Sequence, residues 1–249
     1  MLIIKRTINS IKKMKLIILT GIALFFLSNT SKVKTANNDI KIVGAMKNVM
    51  WKGQLYGTID LDTIANKKHL YGFGPVEYLS GELLIVDGKS YKSTVINETI
   101  MKVEETYKVK APFFAYVNIE NWAVQKLPDS IQTNQQLETY LNDISKTAKR
   151  PFMFKIKGTV ESASIHIVNL PKGSKVTSPE EAHKGQTNYH LQNEPSEIIG
   201  FFSTEHKAIF THHDTFLHMH LITNDESKMG HIDEVVFKKG TMKLYTAAE

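Results

Sequence analysis

Short strand-like segments bounded by turn residues dominate the chain and constrain its fold more than any other feature. GELLIVDGKSYKSTV, beginning at Gly81, predicts a strand, an Asp87-Gly88 turn that favours positive φ, and a returning strand. Four further apolar runs resemble strands: KAPFFAYVNIENW, FMFKIKGTV, SIHIVNL and EIIGFFS. A polar loop is expected from Lys172 to Ser196. The pattern predicts much more sheet than helix.

Only TNQQLETYLNDISKTAK has clear helical periodicity. Its apolar residues share one face of a helix: Leu137, Tyr140, Leu141, Ile144 and Ala148. Thr133 and Gln136 have the spacing of a capping box at its start. We therefore predict an α+β fold of predominantly mixed or antiparallel β-sheet with few helices.

The amino-terminal 36 residues form a separate segment. A basic stretch is followed by the apolar run LIILTGIALFFL and by the small polar stretch SNTSKVKTA. The apolar run is too short to cross a bilayer, which needs about 20 residues, and this order is typical of a secretory signal peptide. We expect a signal peptide over residues 1–36, cleaved between Ser28 and Asn38, and a domain over residues 37–249. The mature protein should be periplasmic or secreted, without a stable membrane anchor.

The net charge of +6 comes from the same segment. Residues 1–36 contain seven Lys and Arg residues and no Asp or Glu, so the balance of 31 basic against 25 acidic residues becomes 24 against 25 after cleavage. A nearly neutral mature protein has no electrostatic basis for binding nucleic acid. Nucleic acid is therefore not an expected partner.

Three of the ten histidines lie near the carboxyl end, in FLHMHLITNDESKMGHIDEVVF. His218 and His220 are two residues apart, so on a strand their side chains project from the same face. A turn centred near Asp225 and Glu226 would place residue 220 opposite residue 231 in an antiparallel hairpin. The imidazole of His231 would then join the other two. Three converging nitrogens are the ligand set of a catalytic zinc site.

A solvated strand face is the alternative interpretation of histidines that alternate along a strand. The third histidine at a matching position favours the metal site. His212 and His213 precede the strand and are expected to be exposed, with contacts to the substrate or to ligand residues as the less favoured interpretation.

The spacing in HMHLITNDESKMGH resembles the zinc site of the α-acetolactate decarboxylase family. The resemblance continues in HLYGFGPVEYLSGELLIVDGKSY, APFFAYV, IKGTVESASIHIV and IIGFFST, and it covers about residues 45 to 245. It implies the two-lobed fold of that family, a carboxy-lyase activity that converts 2-acetolactate to acetoin, Zn²⁺ as cofactor and a small-molecule substrate. It leaves the oligomeric state open, with a homodimer among the alternatives.

The resemblance also implies roles for individual residues. His218, His220 and His231 correspond to the family's zinc ligands, and Glu82 corresponds to its amino-terminal active-site glutamate. Without the resemblance, Glu82 would be interpreted as a solvated carboxylate at the end of a strand.

Two positions depart from the family pattern. The family's substrate-binding arginine corresponds to His166, and a histidine is a weaker, pH-dependent substitute for a guanidinium group. Lys155 and Lys157 are alternative replacements, but we expect them to be exposed strand lysines. The family's second glutamate belongs to a longer carboxyl tail, and we assign no such role to Glu249. These departures leave two alternatives open: an exported zinc enzyme of the same fold acting on a different small oxygenated substrate, and a non-catalytic metal-binding homologue.

Overall fold

The computed structural model describes residues 39–146, 148, 150–211 and 215–248. The predicted signal peptide, His212, His213 and Glu249 lie outside the described residues. Within the described part, none of the helices has the length and apolar character needed to span a membrane.

The described residues form fourteen strands: β1 (Lys41–Val43), β2 (Ile59–Asp60), β3 (Leu70–Pro75), β4 (Glu82–Val86), β5 (Lys89–Val95), β6 (Met101–Glu105), β7 (Lys110–Ala111), β8 (Phe114–Asn118), β9 (Trp122–Lys126), β10 (Phe152–Ile167), β11 (Thr187–Phe202), β12 (Leu217–Thr223), β13 (Met229–Phe237) and β14 (Lys243–Ala247). They also form three α-helices: α1 (Met46–Lys52), α2 (Asn134–Ile144) and α3 (Pro179–Ala182). Two 3₁₀ turns cover Leu61–Thr63 and Glu77–Leu79.

The strands build two six-stranded sheets in which every paired strand is antiparallel. The first sheet has the order β1-β8-β3-β4-β5-β6, and the second has the order β11-β12-β13-β10-β14-β9. Strand β10 also pairs with β11, so β10, β11, β12 and β13 form a closed circuit of pairings. Strands β2 and β7 form a small separate ribbon. The predicted α+β fold with two sheet bodies and few helices is confirmed.

The β4–β5 hairpin turns as its sequence predicts. Asp87 has φ 47° and Gly88 has φ 84°, and two consecutive positive φ values match the right-handed twist of the flanking strands. A Cβ atom on Gly88 would lie 2.4 Å from the carbonyl oxygen of Lys67, so this position also requires glycine for space.

Helix α2 begins with the predicted capping box and ends earlier than its periodicity predicts. Thr133 and Gln136 cap each other reciprocally. The helix stops at Ile144, where the Ser145 hydroxyl donates a hydrogen bond to the Leu141 carbonyl. The prediction that Ala148 continues the helical face was therefore wrong.

The expected loop from Lys172 to Ser196 was also wrong in its second half. Residues 187–196 belong to β11, which pairs with β10 along almost its whole length. The alternation in this segment explains the pairing, because Tyr189 and Leu191 are buried in the core while His190 between them is exposed.

The two sheets pack against each other through a shared apolar cluster. The first sheet contributes Tyr71, Phe73 and Leu84, and the second contributes Phe201 and Met229. A second cluster fills the space between the second sheet and helix α2. This packing places strands β3 and β4 directly against the histidine-bearing strands β12 and β13.

Candidate metal centre and active site

Strands β12 and β13 form the predicted hairpin, and His220 is directly opposite His231 in its register. The turn is organised by Asp225, which accepts hydrogen bonds from the Thr223 hydroxyl at 2.6 Å and from the Ser227 backbone N–H at 3.1 Å. The register derived from the turn position is therefore confirmed.

The side chains of β12 alternate between two environments, as predicted. Leu217, Met219 and Leu221 enter the core beneath helix α2. His218 and His220 face the first sheet instead, where they are only 5% and 1% exposed. These exposures exclude the alternative of a solvated strand face.

The aromatic ring of Phe73, on β3, fixes both histidines from the opposite side. It stacks on His220 with ring centroids 4.5 Å apart and meets His218 edge-on at 4.6 Å. Packing of this kind holds the two imidazole planes and keeps water away from one side of the site.

The three imidazoles converge. The Nε2 atom of His218 lies 3.1 Å from Nδ1 of His231, and one ring nitrogen from each of His218, His220 and His231 lies within 4.8 Å of the others. Two nitrogens bound tetrahedrally to one zinc ion at about 2.05 Å would be about 3.3 Å apart. The 3.1 Å between Nε2 of His218 and Nδ1 of His231 is close to that value.

The hydrogen bonding and burial of these rings also suit metal binding. Nδ1 of His218 lies 2.5 Å from the Phe210 carbonyl oxygen, so Nδ1 carries the proton and Nε2 is the nitrogen whose lone pair can bind a metal ion. Nδ1 of His220 is buried without a well-formed hydrogen bond. Burial, followed by the neighbouring His218 ring, lowers the pKa of His220 well below its usual value. A neutral imidazole is the form that ligates a metal, so this donor set fits a divalent cation.

Glu82 brings a carboxyl group from the other sheet to the same place. It opens strand β4 and is only 3% exposed. One of its oxygens accepts a hydrogen bond from the Val168 backbone N–H at 3.3 Å, and the other lies 3.7 Å from Nε2 of His220. Burial raises the pKa of Glu82 well above its usual value, and the bond from Val168 opposes that shift. The structure thus unites Glu82 with the histidines, and its interpretation as a solvated carboxylate is wrong.

His166, on β10, lies against the same cluster. It is opposite His231 in the β10–β13 register, and the two rings stack with centroids 4.5 Å apart. Nδ1 of His166 is 2.7 Å from Oδ1 of Asp233. His183, from the residues after α3, meets the His166 ring edge-on at 5.9 Å.

Two cavities border the cluster of His218, His220 and His231. A small one of about 40 Å³ is lined by Glu82, His166 and His183 together with apolar residues from α1 and β3. A larger one of about 500 Å³ is lined by Glu138, Asp233 and other residues of α2, β12 and β13. His218 and His231 line both. No lysine or arginine is among the described residues that line either cavity.

Sequence reasoning missed Asp233, Glu138 and His183. A signal for Asp233 was present, because it follows His231 by two residues and so shares a strand face with it. Glu138 and His183 are placed by contacts between elements distant in sequence, for which no local pattern exists.

The expectation for Lys155 was wrong, while Lys157 is largely exposed as expected. Lys155 is buried, and its ammonium group lies 4.5 Å from the ring of Trp122 and 5.0 Å from that of Tyr71. It also lies 3.5 Å from the Glu197 carboxylate, which pairs with Lys157 at 2.7 Å. Aromatic faces and one carboxylate compensate for the buried charge, so Lys155 supports the packing of the two sheets.

Comparisons with known proteins identify the family to which this chain belongs. The family model described as alpha-acetolactate decarboxylase matches residues 43–249. The α-acetolactate decarboxylase of Lactococcus lactis subsp. lactis is 26% identical over 197 residues, which cover 77% of this chain and 78% of the relative. The α-acetolactate decarboxylase of Brevibacillus brevis is 24% identical over 198 residues, which cover 79% of this chain and 66% of the relative.

Solved structures show the same fold. Acetolactate decarboxylase from Bacillus subtilis subspecies spizizenii superposes with a TM-score of 0.70 at 20% identity, covering 84% of this chain and 86% of that one. A second solved structure is that of a Staphylococcus aureus protein of unknown function, described as similar to α-acetolactate decarboxylase. It superposes with a TM-score of 0.67 at 17% identity and covers the same shares of the two chains. Since the family model spans nearly all of the described residues, this chain belongs to the alpha-acetolactate decarboxylase family of carboxy-lyases, as its sequence motifs predicted.

Proposed function

We propose that this protein is a zinc-dependent decarboxylase that converts 2-acetolactate to acetoin and carbon dioxide. The observation that carries the proposal is the convergence of three buried imidazoles beside the buried carboxyl group of Glu82, in a chain of this family. His218, His220 and His231 would hold the ion, and no fourth protein ligand is needed in a catalytic site.

The reaction breaks the bond between the carboxylate carbon and the hydroxyl-bearing carbon of acetolactate. Carbon dioxide leaves, the electron pair moves toward the neighbouring ketone, and one proton must be added to carbon to give acetoin. A zinc ion bound by the three histidines would supply Lewis acidity to the adjacent hydroxyl and ketone oxygens of the substrate.

The protein's own groups account for the remaining requirements. Glu82 is placed to hold the proton that is added to carbon and to recover it from solvent, because its carboxyl group is buried within 3.7 Å of His220. His166 lines the small cavity beside Glu82 and is placed to contact the substrate. Phe73 excludes water from the face of His218 and His220 that meets the first sheet.

Acetoin formation by purified, zinc-loaded protein tests this proposal. The wild type should release acetoin and carbon dioxide from 2-acetolactate in equal amounts, and Glu82→Gln should be much slower with its zinc retained. A zinc-loaded wild type that leaves 2-acetolactate unchanged would refute the proposed activity.

The charge of the cavities favours a second candidate function. Glu138, Asp233 and Glu234 line the larger cavity, and its described lining contains no lysine or arginine to attract an anion. This arrangement favours an uncharged hydroxyl- or carbonyl-bearing substrate in an enzyme of the same fold. Zinc-dependent turnover of uncharged hydroxyketones, in a protein inactive on 2-acetolactate, would select this candidate.

We also propose that the protein acts outside the cytoplasm. The order of basic, apolar and small polar residues within residues 1–36 supports this proposal.

A further inference from the structure

The turn between strands β3 and β4 has a backbone conformation that its residues disfavour. Tyr78 and Leu79 both adopt left-handed backbone, with φ values of 61° and 51°. In this region the Cβ atom of an L-residue is crowded by the following carbonyl oxygen, so bulky residues seldom enter it. Two such residues in succession persist only where the surrounding structure fixes them. This strained pair ends three residues before Glu82.

Backbone hydrogen bonds hold the turn in this conformation. Within the turn, the Leu79 N–H donates to the Val76 carbonyl at 3.0 Å. The Tyr78 N–H donates to the Leu55 carbonyl at 2.6 Å, and the Leu79 carbonyl accepts from the Leu170 N–H at 2.8 Å. The Tyr78 side chain is 57% exposed, whereas Leu79 is fully buried. The hydrogen bonds that fix residue 78 in the turn are therefore made by its backbone.

The bond from Leu170 connects the turn to Glu82 through a second segment. Residues 168–170 directly follow strand β10. At one end of this segment Leu170 donates to the turn, and at the other end the Val168 N–H donates to Oε1 of Glu82 at 3.3 Å. The side chains of Leu79, Val168 and Leu170 pack in one apolar cluster. The turn thus holds the segment that in turn holds the carboxyl group.

We infer that Tyr78 and Leu79 are positioning residues for Glu82, and that they act through the left-handed backbone of the turn. Negative φ values at these residues would redirect the Leu79 carbonyl group, and the Leu170 N–H would lose its acceptor. Residues 168–170 could then move, together with the N–H group that fixes the Glu82 carboxyl group beside the histidines. The inference rests on the proposed function in taking Glu82 as the group that transfers the proton.

Substitutions of Tyr78 test the inference, because its exposed side chain can be changed with little loss of packing. Valine is β-branched and strongly disfavours left-handed backbone, whereas asparagine tolerates it. Amide hydrogen exchange of the zinc-loaded protein, followed by NMR, measures how often the bonds of the Val168 and Leu170 N–H groups open. Tyr78→Val should speed the exchange of both groups about fivefold. Tyr78→Asn should leave both at or below the wild-type rate.

Asn193→Val is the matched control. Asn193 is an exposed residue of β11 with φ 51°, so the same new side chain introduces similar strain in a different part of the fold. It should leave the exchange of Val168 and Leu170 unchanged. Unchanged rates in Tyr78→Val, or an equal acceleration by Tyr78→Asn or by Asn193→Val, would overturn the inference. Tyr78→Thr, which is β-branched but polar, provides the same test if Tyr78→Val does not fold.

A kinetic measurement tests the consequence for Glu82. Tyr78→Val should lower kcat about fivefold with KM and zinc content nearly unchanged, and Tyr78→Asn should keep the wild-type kcat. Faster exchange of Val168 and Leu170 with an unchanged kcat would show that the turn does not position Glu82 for the reaction. A wild type that forms no acetoin would refute the proposed activity instead. The exchange rates, which need no turnover, would still decide whether the left-handed turn holds the segment bonded to Glu82.

Discussion

His220 and His231 stand directly opposite each other across the β12–β13 hairpin, and this register brings the three imidazoles together. A shift of one residue would turn the side chains of one strand to the opposite face and separate the ligand set. The turn between the strands should therefore contribute to both stability and metal binding.

Replacing Asp225 by alanine should destabilise the hairpin turn. Hydrogen bonds from Thr223 and Ser227 lower the pKa of Asp225 from its ordinary 3.8 to about 2. A carboxylate with a lowered pKa stabilises the fold above its unfolded pKa, and this contribution is lost as the pH falls from about 4 through about 2. Because the side chain is exposed, we expect a loss of about 0.5 to 1 kcal/mol at pH 7. Urea unfolding at pH 7, 4 and 2.5 measures it.

Asp225→Asn is the matched control for this effect. The amide keeps an acceptor for Thr223 and Ser227, so Asp225→Asn should retain part of the stability at pH 7. Because the amide does not titrate, the variant should not show the loss of stability that Asp225 causes between pH 4 and 2. Equal stability of the wild type and Asp225→Ala at pH 7 would show that the turn does not depend on this side chain.

The metal site should depend on each of the three histidines. Purified mature protein should hold about one zinc ion per chain, and His218→Ala or His220→Ala should lose most of it. His190→Ala, which removes an exposed histidine from β11, is the control and should keep its zinc. Elemental analysis measures the zinc content of each variant. A full zinc ion per chain in the His218→Ala/His220→Ala double variant would show that these histidines do not form the metal site.

Zinc should also stabilise the folded protein. An ion that binds only the native state at a free concentration 100 times its dissociation constant adds about 2.7 kcal/mol to the free energy of unfolding. Thermal unfolding with and without a chelator should show this difference in the wild type and in His190→Ala. A similar stabilisation of the double variant by zinc would place the ion elsewhere.

Glu82→Gln should separate the chemical step from metal binding. The amide keeps the size of the side chain but cannot exchange a proton, so we expect kcat to fall by about 10² to 10⁴. The zinc content should stay near that of the wild type because three histidines remain. Glu104→Gln, which replaces a carboxylate on β6 by an amide in the same way, is the control. An unchanged kcat in Glu82→Gln would remove Glu82 from the reaction.

Local patterns were sufficient to predict the hairpins and the histidine cluster. A period of two assigned His218 and His220 to one strand face, and the position of the turn placed His231 opposite His220. The Asp87-Gly88 turn and the capping box of helix α2 follow in the same way from residues close in sequence. Glu82 belongs to the other sheet, so no local pattern could place it beside the histidines. Its role at the site was predicted from the family resemblance alone.

Contacts between distant strands could not be predicted from such patterns. Alternation placed Lys155 and Lys157 on one face of β10, but it could not reveal that Tyr71 and Trp122 cover Lys155. The pairing of His166 with Asp233 depends on the β10–β13 register, which shifts between Ser164 and Ile165. An irregularity of this kind changes which side chains meet and has no clear signature in either strand.

Export should be visible as processing of the amino terminus. Expressed in a Gram-negative host, the full chain should lose about 28 to 38 residues, the span between the predicted cleavage limits, and appear in the periplasm. Amino-terminal sequencing of the fractionated protein measures this. A cytoplasmic protein that retains the apolar run LIILTGIALFFL would contradict export.

The most direct test of the account is acetoin production from 2-acetolactate by the mature protein before chelation, after chelation and after zinc is restored. We predict turnover in the untreated protein, its loss on chelation and its recovery with about one zinc ion per chain, with no recovery in His218→Ala. Turnover that persists in the zinc-free protein, or no acetoin from a fully zinc-loaded wild type, would contradict the proposal of a zinc-dependent acetolactate decarboxylase.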